Sequence, residues 1–344
     1  MQPLERAFDR HRRYLFGLCY RMAGCGADAE DLVQDTFERA LRNPPADLER
    51  ELRPWLTRVA MNACRDHLRR RRARGYPGTW LPGPVEASLE DPLHDGVDPE
   101  ARYGMLESVS FAFLLALEAL TPGQRAVLLL RDVFDLSVRE TAETLEMSEG
   151  NVKTTLHRAR AAMASYDGQR RPITLEHQAA ARRALEALLM HVVSGNTSAV
   201  RELLAEDVVS MNDAGGKMIA ARKVVIGRDK VMTFLRKTTR TGMFDLSWRV
   251  LNGTAALMID SPYPKPNYPE TVVFWVELDG VGRIREFNLM AAPRKISRLP
   301  WDSLERPSAG EVLGALRSAL TQPPPAQWAL PAARDFLARR LGFS

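Results

Sequence analysis

Cysteine is scarce in this chain of 344 residues: there are three, Cys19, Cys25 and Cys64, and none belongs to a Cys-x-x-Cys pair. An odd and sparse set argues against a disulfide framework and is typical of a protein kept in a reducing compartment. We expect such cysteines to be buried in the hydrophobic core as free thiols. We therefore predict no metal site and no cofactor.

A hydrophobic run long enough to cross a bilayer is also missing. The most apolar stretch, Phe111 to Leu120, is too short to span and contains Glu118. The first residues carry no secretion-signal pattern. We expect a cytoplasmic protein without a membrane partner.

Charge is present in ordinary amount but is unevenly placed. Charged residues make up 26% of the chain, the formal net charge is +5, and residues 65–74 contain six arginines. A polyanion such as nucleic acid is the partner that such a block favours. A solvated helix end, where arginine also interacts well with the helix dipole, explains the run equally well. The block alone leaves both interpretations open.

The length predicts two or three domains. Residues 1–75 have helical periodicity, because apolar positions between 28 and 41 recur on one helical face. Asp28 is the predicted N-cap of this helix, and a second helix is expected over residues 51–72. Pro, Gly and acidic residues interrupt the pattern through residues 76–107, which is typical of a linker.

Residues 108–166 are predicted to be helical again and to contain a helix-turn-helix. Cap signals at Thr121, Ser137 and Ser148 define one helix over 137–145 and a second from 149. Two short capped helices occur in many helical proteins, but the basic and hydroxylated outer face of the second favours DNA binding. The turn position that is often Gly is Glu146 here. The residues predicted to face DNA are Asn151, Lys153, Thr154, Thr155, His157, Arg158 and Arg160.

Residues 172–300 change character. An amphipathic helix and a short second helix precede several strand-like runs, with Asn252-Gly253 and Asp279-Gly280 as hairpin turns. Helices followed by a curled antiparallel sheet make an α+β domain. Residues 301–344 are predicted to form a helical tail interrupted by proline.

Three segments resemble, in the same order, the motifs of extracytoplasmic-function sigma factors, the dissociable promoter-recognition subunits of bacterial RNA polymerase. Residues 26–37 look like the polymerase-binding segment, residues 55–69 like the promoter-melting and −10-reading helix, and residues 120–160 like the −35-reading domain. The resemblance implies that the chain binds core RNA polymerase, at the β′ coiled coil and the β flap, and promoter DNA at −35 and −10. The implied polymerase-binding residues are Glu30, Asp31, Gln34, Asp35 and Glu38, and the implied −10 residues are Asn62, Arg65, Asp66, Arg69 and Arg70.

Two further segments resemble motifs of a sigma-factor subgroup that adds a SnoaL-like (polyketide-cyclase-like) domain. Residues 80–84 are similar to its Trp-Leu-Pro linker motif, and residues 213–217 to its Asp-Gly-Gly-Gly-Lys loop, with Ala214 in place of the first Gly. A third motif, Asn-Pro-Asp-Lys, is only partly kept at residues 292–295. The implied fold is two all-α sigma domains, the second a helix-turn-helix, followed by an α+β SnoaL-like cone. The residues expected to make a regulatory intramolecular contact are Trp80, Leu81, Pro82, Asp213, Gly215, Gly216 and Lys217.

The sequence is compatible with three hypotheses for the function of this chain. The first is a sigma factor, not an enzyme, whose cone modulates its activity. In the second, the cone is an independent small-molecule sensor or an enzyme, although its two histidines, His177 and His191, both lie on its first helix without an evident acid partner. The third is an ordinary helix-turn-helix repressor or activator, which has no need of a polymerase-binding segment. The first hypothesis agrees with every motif.

Overall fold

The computed structural model describes residues 2–48, 51–86, 102–170, 173–216, 218, 221, 223–238, 245–260, 268–297 and 299. Within these ranges the chain is helical up to residue 203 and combines sheet with helix beyond it, which confirms the predicted architecture. Some predictions fall outside the described residues: the regulatory-contact residue Lys217, residues 87–101 of the linker and the tail 301–344.

The first helical bundle consists of α1 (Gln2–Ala23), α2 (Gly26–Arg42) and α3 (Arg53–Arg74). Their apolar faces meet in a core that includes Leu15 and Leu56. The predicted cap at Asp28 is wrong, because α2 begins two residues earlier, with Cys25 at the N-cap position and no side-chain capping bond. Asp28 instead lies in the first turn, with its carboxylate 3.6 Å from Nε2 of His67.

The second bundle consists of α4 (Phe111–Ala116), α5 (Pro122–Asp132), α6 (Val138–Leu145) and α7 (Glu149–Asp167), with short 3-10 turns at Glu107–Val109 and Leu117–Ala119. The predicted helix-turn-helix is formed by α6 and α7. The side chains of Thr121, Ser137 and Ser148 each accept a hydrogen bond from the backbone N–H three residues later, which confirms the three predicted caps. Glu146 has a φ of 55° between α6 and α7, so it takes the left-handed conformation that favours glycine.

The two bundles share one continuous apolar core. Tyr14 of α1 meets Phe134, just after α5, edge to face with 5.6 Å between ring centroids. Arg21 is fully buried near them; its Nε donates to Ser108 Oγ at 2.8 Å, and its guanidinium lies 5.6 Å from the Phe134 ring centroid. The bundles therefore pack directly on each other, which we call the closed arrangement.

The C-terminal region is built from helices α8 (Leu175–Ser194), α9 (Thr197–Leu203), α10 (Arg228–Thr238) and α11 (Pro293–Ile296) and strands β1 (Leu204–Asp213), β2 (Val225–Ile226), β3 (Asp245–Leu251), β4 (Thr254–Asp260), β5 (Thr271–Leu278) and β6 (Ile284–Met290). The strand order is β2-β1-β6-β5-β4-β3. β1 runs parallel to β6, and the other neighbouring pairs are antiparallel, so the predicted antiparallel sheet is corrected to a mixed one. Asn252 and Gly253 both have positive φ, which confirms the predicted hairpin turn between β3 and β4.

The two faces of the sheet have different partners. The inner face packs on α8 and α10 to close the cone, with Leu185, Val231 and Phe287 in this core. The outer face packs on the linker and on the start of the second bundle. There, Phe111 stacks on Trp275 with ring centroids 4.0 Å apart and planes 16° apart. The cone is thus docked on both the linker and the helical part of the chain.

The described ranges contain no helix that is long and apolar enough to cross a membrane. In the same ranges no group of three or more His, Cys, Asp or Glu side chains is arranged to hold a metal ion. All three cysteines are buried free thiols, as the sequence predicts, and Sγ of Cys19 lies 3.7 Å from Sγ of Cys64. The hydrogen bond that the Cys64 thiol donates to Cys19 and the burial of the thiol raise the pKa of Cys64, so its thiolate form is disfavoured.

Candidate functional site

The linker that follows α3 runs between the helical bundles and the outer face of the sheet, and residues 81–85 are buried there. The backbone N–H of Gly83 donates to the carbonyl of Gly24 at 2.8 Å. The Tyr20 hydroxyl donates to the carbonyl of Gly83 at 2.8 Å. Trp80 lies against Gly24, where an added Cβ atom would be 2.7 Å from the indole ring. These contacts fix one side of the linker to the first bundle.

The buried carboxylate of Asp213, at the end of β1, binds the other side of the linker. Its Oδ1 accepts hydrogen bonds from the Tyr76 hydroxyl at 2.6 Å and from the Gly215 backbone N–H at 3.0 Å. Its Oδ2 accepts from the Leu81 backbone N–H at 2.9 Å and from Lys295 Nζ at 2.7 Å. The first residue of the predicted Asp-x-Gly-Gly-Lys loop therefore contacts the Trp-Leu-Pro segment through a backbone hydrogen bond.

Lys295, at the end of α11, supplies the positive charge at this contact. Its Nζ also donates to the carbonyl of Leu81, and it lies 4.6 Å and 4.5 Å from the ring centroids of Tyr76 and Trp80. Burial lowers the pKa of Lys295, and the neighbouring charge of Asp213 acts in the opposite direction. A buried ammonium is tolerated when it has a counter-charge and acceptors, and this one has a carboxylate, a carbonyl and two aromatic faces.

The glycines of the loop allow the backbone to approach the linker closely. Gly215 and Gly216 have φ values of 62° and 71°, in the left-handed region. A Cβ atom at Gly216 would lie 2.5 Å from Cγ of Pro77, and one at Gly215 would lie 3.3 Å from the Cβ of Ala292. Gly216 is therefore required both by its backbone conformation and by the contact with the linker.

A second polar contact forms around Asn252, in the turn between β3 and β4. Its Nδ2 donates to the Tyr20 hydroxyl and to the Val109 carbonyl, both at 2.6 Å, and its Oδ1 accepts from the Val85 N–H at 2.9 Å. The Asn252 N–H also donates to the Val85 carbonyl at 3.0 Å. Arg249 forms an ion pair with Glu86 beside it. One buried amide thus joins the first bundle, the linker and the second bundle.

The predicted polymerase-binding residues lie along one side of α2, and the cone reaches part of that side. Arg294 of α11 forms ion pairs with Asp28 at 3.0 Å and with Asp31 at 2.5 Å. Farther along the helix, Asp35 pairs with Arg39 at 2.8 Å. In the closed arrangement, one of the predicted polymerase-binding carboxylates is therefore occupied by an arginine of the cone. The exposed members of the set are Asp31, Gln34 and Glu38, and the half-buried ones are Glu30 and Asp35.

The predicted −10 face of α3 is partly turned toward the second bundle. Arg65 Nη1 is 3.5 Å from the carbonyl of Leu145, at the end of α6. Asp66 forms ion pairs with Arg69 at 3.3 Å and with Arg39 at 3.7 Å. Asn62, Arg65 and Asp66 are half-buried, whereas Arg69 and Arg70 are exposed.

The predicted DNA-facing residues of α7 are mostly accessible. Asn151, Lys153, Thr154, His157 and Arg158 are exposed, and Thr155 is half-buried with its hydroxyl 3.2 Å from Asn151 Oδ1. Arg160 differs from the others, because its guanidinium makes two hydrogen bonds, of 2.6 and 2.9 Å, to the buried carboxylate of Asp132. Its charge is already neutralised within the bundle.

The two histidines considered for acid–base chemistry, His177 and His191, lie on the same helix of the cone, α8. His177 is exposed, with Nδ1 3.3 Å from the hydroxyl of its own cap residue Thr174. This environment is that of a solvated helix start.

Comparison with known proteins identifies the helical bundles. Residues 7–74 match Sigma-70 region 2, and residues 110–163 match Sigma-70 region 4. The ECF RNA polymerase sigma factor SigJ of Mycobacterium tuberculosis is 34% identical over 230 residues, which cover 66% of this chain and 70% of that protein. The probable ECF RNA polymerase sigma factor SigI of the same species is 30% identical over 233 residues, which cover 67% of this chain and 74% of that protein.

A solved structure extends the likeness to the cone. The crystal structure of Mycobacterium tuberculosis extracytoplasmic function sigma factor SigJ aligns with 85% of this chain and 98% of its own, with a TM-score of 0.61 and 28% identity. This chain therefore belongs to the extracytoplasmic-function (ECF) RNA polymerase sigma factors. It carries two helical sigma domains followed by a SnoaL-like cone.

Sequence reasoning overlooked several residues of the contact between cone and linker. Lys295 belongs to residues 292–295, the segment that only partly keeps the third subgroup motif. The Pro and Lys that this segment retains are the only sequence signal for a role of Lys295. Asn252 was recognised as a turn residue, and its side-chain contacts carry no local signature. Arg294 stands where the subgroup motif has an acid, so nothing in the motif predicts its pairing with Asp31.

The Asp213–Lys295 pair yields a stability prediction. Asp213→Asn should lower the free energy of unfolding by about 3–5 kcal/mol, because it leaves a buried ammonium without a counter-charge. Urea unfolding followed by tryptophan fluorescence measures the change. The double variant Asp213→Asn with Lys295→Met should recover part of the loss.

Arg283→Met is the matched control, because Arg283 pairs with Asp279 on the exposed turn between β5 and β6. An exposed pair contributes about 0–1 kcal/mol. An Asp213→Asn variant that is no less stable than this control would contradict the importance assigned to the buried pair.

Proposed function

We propose that the cone holds this sigma factor in the closed arrangement when no polymerase is bound, and so modulates transcription initiation through the linker. The observation that carries the proposal is the buried Asp213–Lys295 pair, which binds both the N–H and the carbonyl of Leu81. A covalently joined domain has an effective concentration in the millimolar range, so a modest contact is largely formed. Only seven residues separate the end of α7 from the start of α8, and this short spacing favours such an intramolecular contact.

We propose a division of the chain into functional segments that begins with the helical bundles. Residues 1–75 bind core polymerase and melt and read the −10 element. Residues 76–107 are the linker, residues 108–166 read the −35 element and contact the β flap, and residues 172–300 are the regulatory cone. In this proposal, the linker sets the spacing of the two DNA-reading domains.

The proposed polymerase contact is the acidic side of α2 against the β′ coiled coil. The pairing of Arg294 with Asp31 supports a regulatory use of this side, because the cone and the polymerase would then require the same carboxylate. Salt screens exposed pairs of this kind, so the competition should weaken as ionic strength rises.

The proposed DNA contacts are the exposed side of α7 in the major groove at −35 and the polar side of α3 on the non-template strand at −10. The packing of Arg65 against α6 means that α3 presents its full polar side only after the bundles separate. Opening of the closed arrangement is therefore part of the proposed mechanism.

Polymerase binding is tested by charge reversal. Asp31→Arg with Asp35→Arg should abolish co-elution with core polymerase, because attraction to a basic partner surface becomes repulsion. Glu176→Arg with Glu202→Arg, on exposed positions of the cone, is the control with the same charge change and should co-elute normally. Normal co-elution of both double variants would reject the assignment.

Promoter reading is tested on α7. Lys153→Ala or Arg158→Ala should weaken −35 binding. Loss of a phosphate contact lowers the slope of log K against log salt by about 0.9, and loss of a base contact relaxes sequence preference at a cost of about 1–3 kcal/mol. Lys230→Ala, an exposed lysine on α10, is the control. The recognition-helix assignment fails if both α7 variants behave like this control.

Regulation by the cone is tested by run-off transcription with limiting core polymerase. Asp213→Ala should raise the transcript yield, because the closed arrangement loses its buried counter-charge and each loss of about 1.4 kcal/mol shifts the equilibrium about tenfold toward the open state. Asp229→Ala removes an exposed carboxylate that pairs with Arg201 on the cone, and should leave the yield unchanged. Equal yields from wild type and both variants would mean that the contact does not regulate transcription.

A further inference from the structure

The recognition helix α7 is held against the rest of the second bundle by a buried carboxylate whose role the proposed DNA contacts do not explain. Asp132, the last residue of α5, is 2% exposed. Its Oδ1 accepts a hydrogen bond from Arg160 Nη2 at 2.6 Å, and its Oδ2 accepts one from Arg160 Nε at 2.9 Å. The two bonds form a fork that fixes both the distance and the plane of the guanidinium.

A second anchor holds the C-terminal end of the same helix. Asp167, the last residue of α7, accepts hydrogen bonds from Arg102 Nη2 at 2.6 Å and from the Tyr103 hydroxyl at 2.9 Å. The Tyr103 backbone N–H donates to the carbonyl of Asp132 at 3.0 Å, and Arg102 Nε lies 3.8 Å from the Asp132 carboxylate. The end of the linker therefore contacts both anchors of the recognition helix.

The two anchors supply the direction that the apolar packing of α7 lacks. The buried side of this helix is a row of apolar side chains, Val152, Leu156, Ala159 and Met163. Apolar contacts are not directional, so such a row leaves a helix some freedom to tilt and to rotate about its axis. Arg160 and Asp167 are about two turns apart on α7, which places the anchors on the same side and about 10 Å apart. Two directional contacts at that separation define the orientation of the helix.

The orientation of α7 matters because the anchors lie far from the residues proposed to read DNA. Asn151 precedes Arg160 by about 14 Å along the helix axis. A tilt of about 10° at Arg160 therefore displaces Asn151 by about 2 Å. Hydrogen bonds tolerate a range of about 0.5 Å in donor–acceptor distance, so a displacement of this size breaks contacts to base edges.

We infer that Asp132 is a positioning residue for promoter recognition, which acts on the −35 element through Arg160, and that Arg102 and Tyr103 complete this role at Asp167. Arg160 is then an internal anchor and not a DNA contact, because its charge is already paired with a buried carboxylate. The inference rests on the proposed placement of α7 in the −35 major groove. It needs no contribution from the cone, since these residues belong to the second bundle and to the end of the linker.

The test uses the full-length protein in holoenzyme and a promoter duplex that the wild-type holoenzyme selects from random sequence. The affinity for this duplex is divided by the affinity for a duplex with one −35 base pair changed, which gives the −35 ratio, and a −10 ratio is defined in the same way. A change at a base pair that is read lowers affinity by roughly 5- to 150-fold. Asp132→Asn should lower the −35 ratio by about fivefold or more and leave the −10 ratio unchanged. A merely structural role would reduce the amount of folded protein, which lowers every affinity alike and changes neither ratio.

Arg160→Gln separates an internal anchor from a phosphate contact. As an anchor, Arg160 should lower the −35 ratio when it is replaced, and the slope of log K against log salt should stay as in wild type. Loss of a phosphate contact would instead flatten that slope by about 0.9. A slope flattened by this amount in Arg160→Gln, with the −35 ratio retained, would overturn the inference. Arg182→Gln is the matched control, because Arg182 also pairs with a carboxylate, Glu186 at 2.9 Å, but lies on α8 of the cone; neither quantity should move.

Two double variants keep the test decisive if a single variant fails to fold. Asp132→Leu with Arg160→Met replaces the buried pair by apolar groups of similar size, so it should restore stability but not the −35 ratio. Arg102→Gln with Tyr103→Phe removes the second anchor, leaves the buried pair in place and should also lower the −35 ratio. A wild-type −35 ratio in either double variant would overturn the inference.

The outcomes also separate this inference from the proposed function. If the Lys153 and Arg158 variants weaken −35 binding while the Asp132 and Arg160 variants keep the wild-type −35 ratio, the positioning role fails and the placement of α7 stands. If the Lys153 and Arg158 variants behave like their own control, the placement itself fails.

Discussion

In the proposed mechanism, the closed arrangement depends on the buried ion pair between Asp213 and Lys295. Taking both charges out of water is costly, and the cost is offset only while each has its partner and its remaining hydrogen bonds. Those bonds come from the linker, through the backbone of Leu81 and the hydroxyl of Tyr76. Asp213 and Lys295 therefore have all their hydrogen-bond partners only when the linker is in place. In this way the linker and the cone form one specific contact.

Apolar packing gives this contact its area, and polar groups give it its specificity. The Phe111–Trp275 stack and the buried Leu81 exclude water from the outer face of the sheet, which strengthens the nearby hydrogen bonds. Asn252 then fixes the register, because one amide binds segments of all three parts of the chain. The features used for docking differ from those proposed for transcription: the proposed interface with polymerase and DNA is charged and polar, whereas the interface with the cone is largely apolar. A sigma factor built in this way could exchange partners, because the exposed ion pair between Arg294 and Asp31 at α2 is one that a basic partner can replace.

Much of the fold follows from local patterns, and much of the candidate site does not. Caps such as Ser137 act within one turn of helix, so they are readable from the sequence and the structure confirms them. The parallel pairing of β1 with β6 and the contact of Arg294 with Asp31 join residues far apart in the chain, and periodicity carries no information about such pairs. Helix α10 was not predicted, because its charged start, residues 228–230, leaves Val231 and Leu235 as a short apolar signal. The linker and loop motifs identified both sides of the cone contact, but the lysine that joins them lies in the segment that departs from its motif.

The most direct test of the central claim is the distance between the two sigma domains before and after the factor engages a promoter. Spin labels at Arg42→Cys on α2 and Ala162→Cys on α7 report it, since both positions are exposed and the native thiols are buried. Pulsed dipolar spectroscopy of the free protein should give one narrow, short distance distribution. The same labels in holoenzyme on promoter DNA should give a clearly longer distance. An identical distribution in both states would contradict the account, because a closed arrangement that persists on the promoter cannot regulate access to polymerase or DNA.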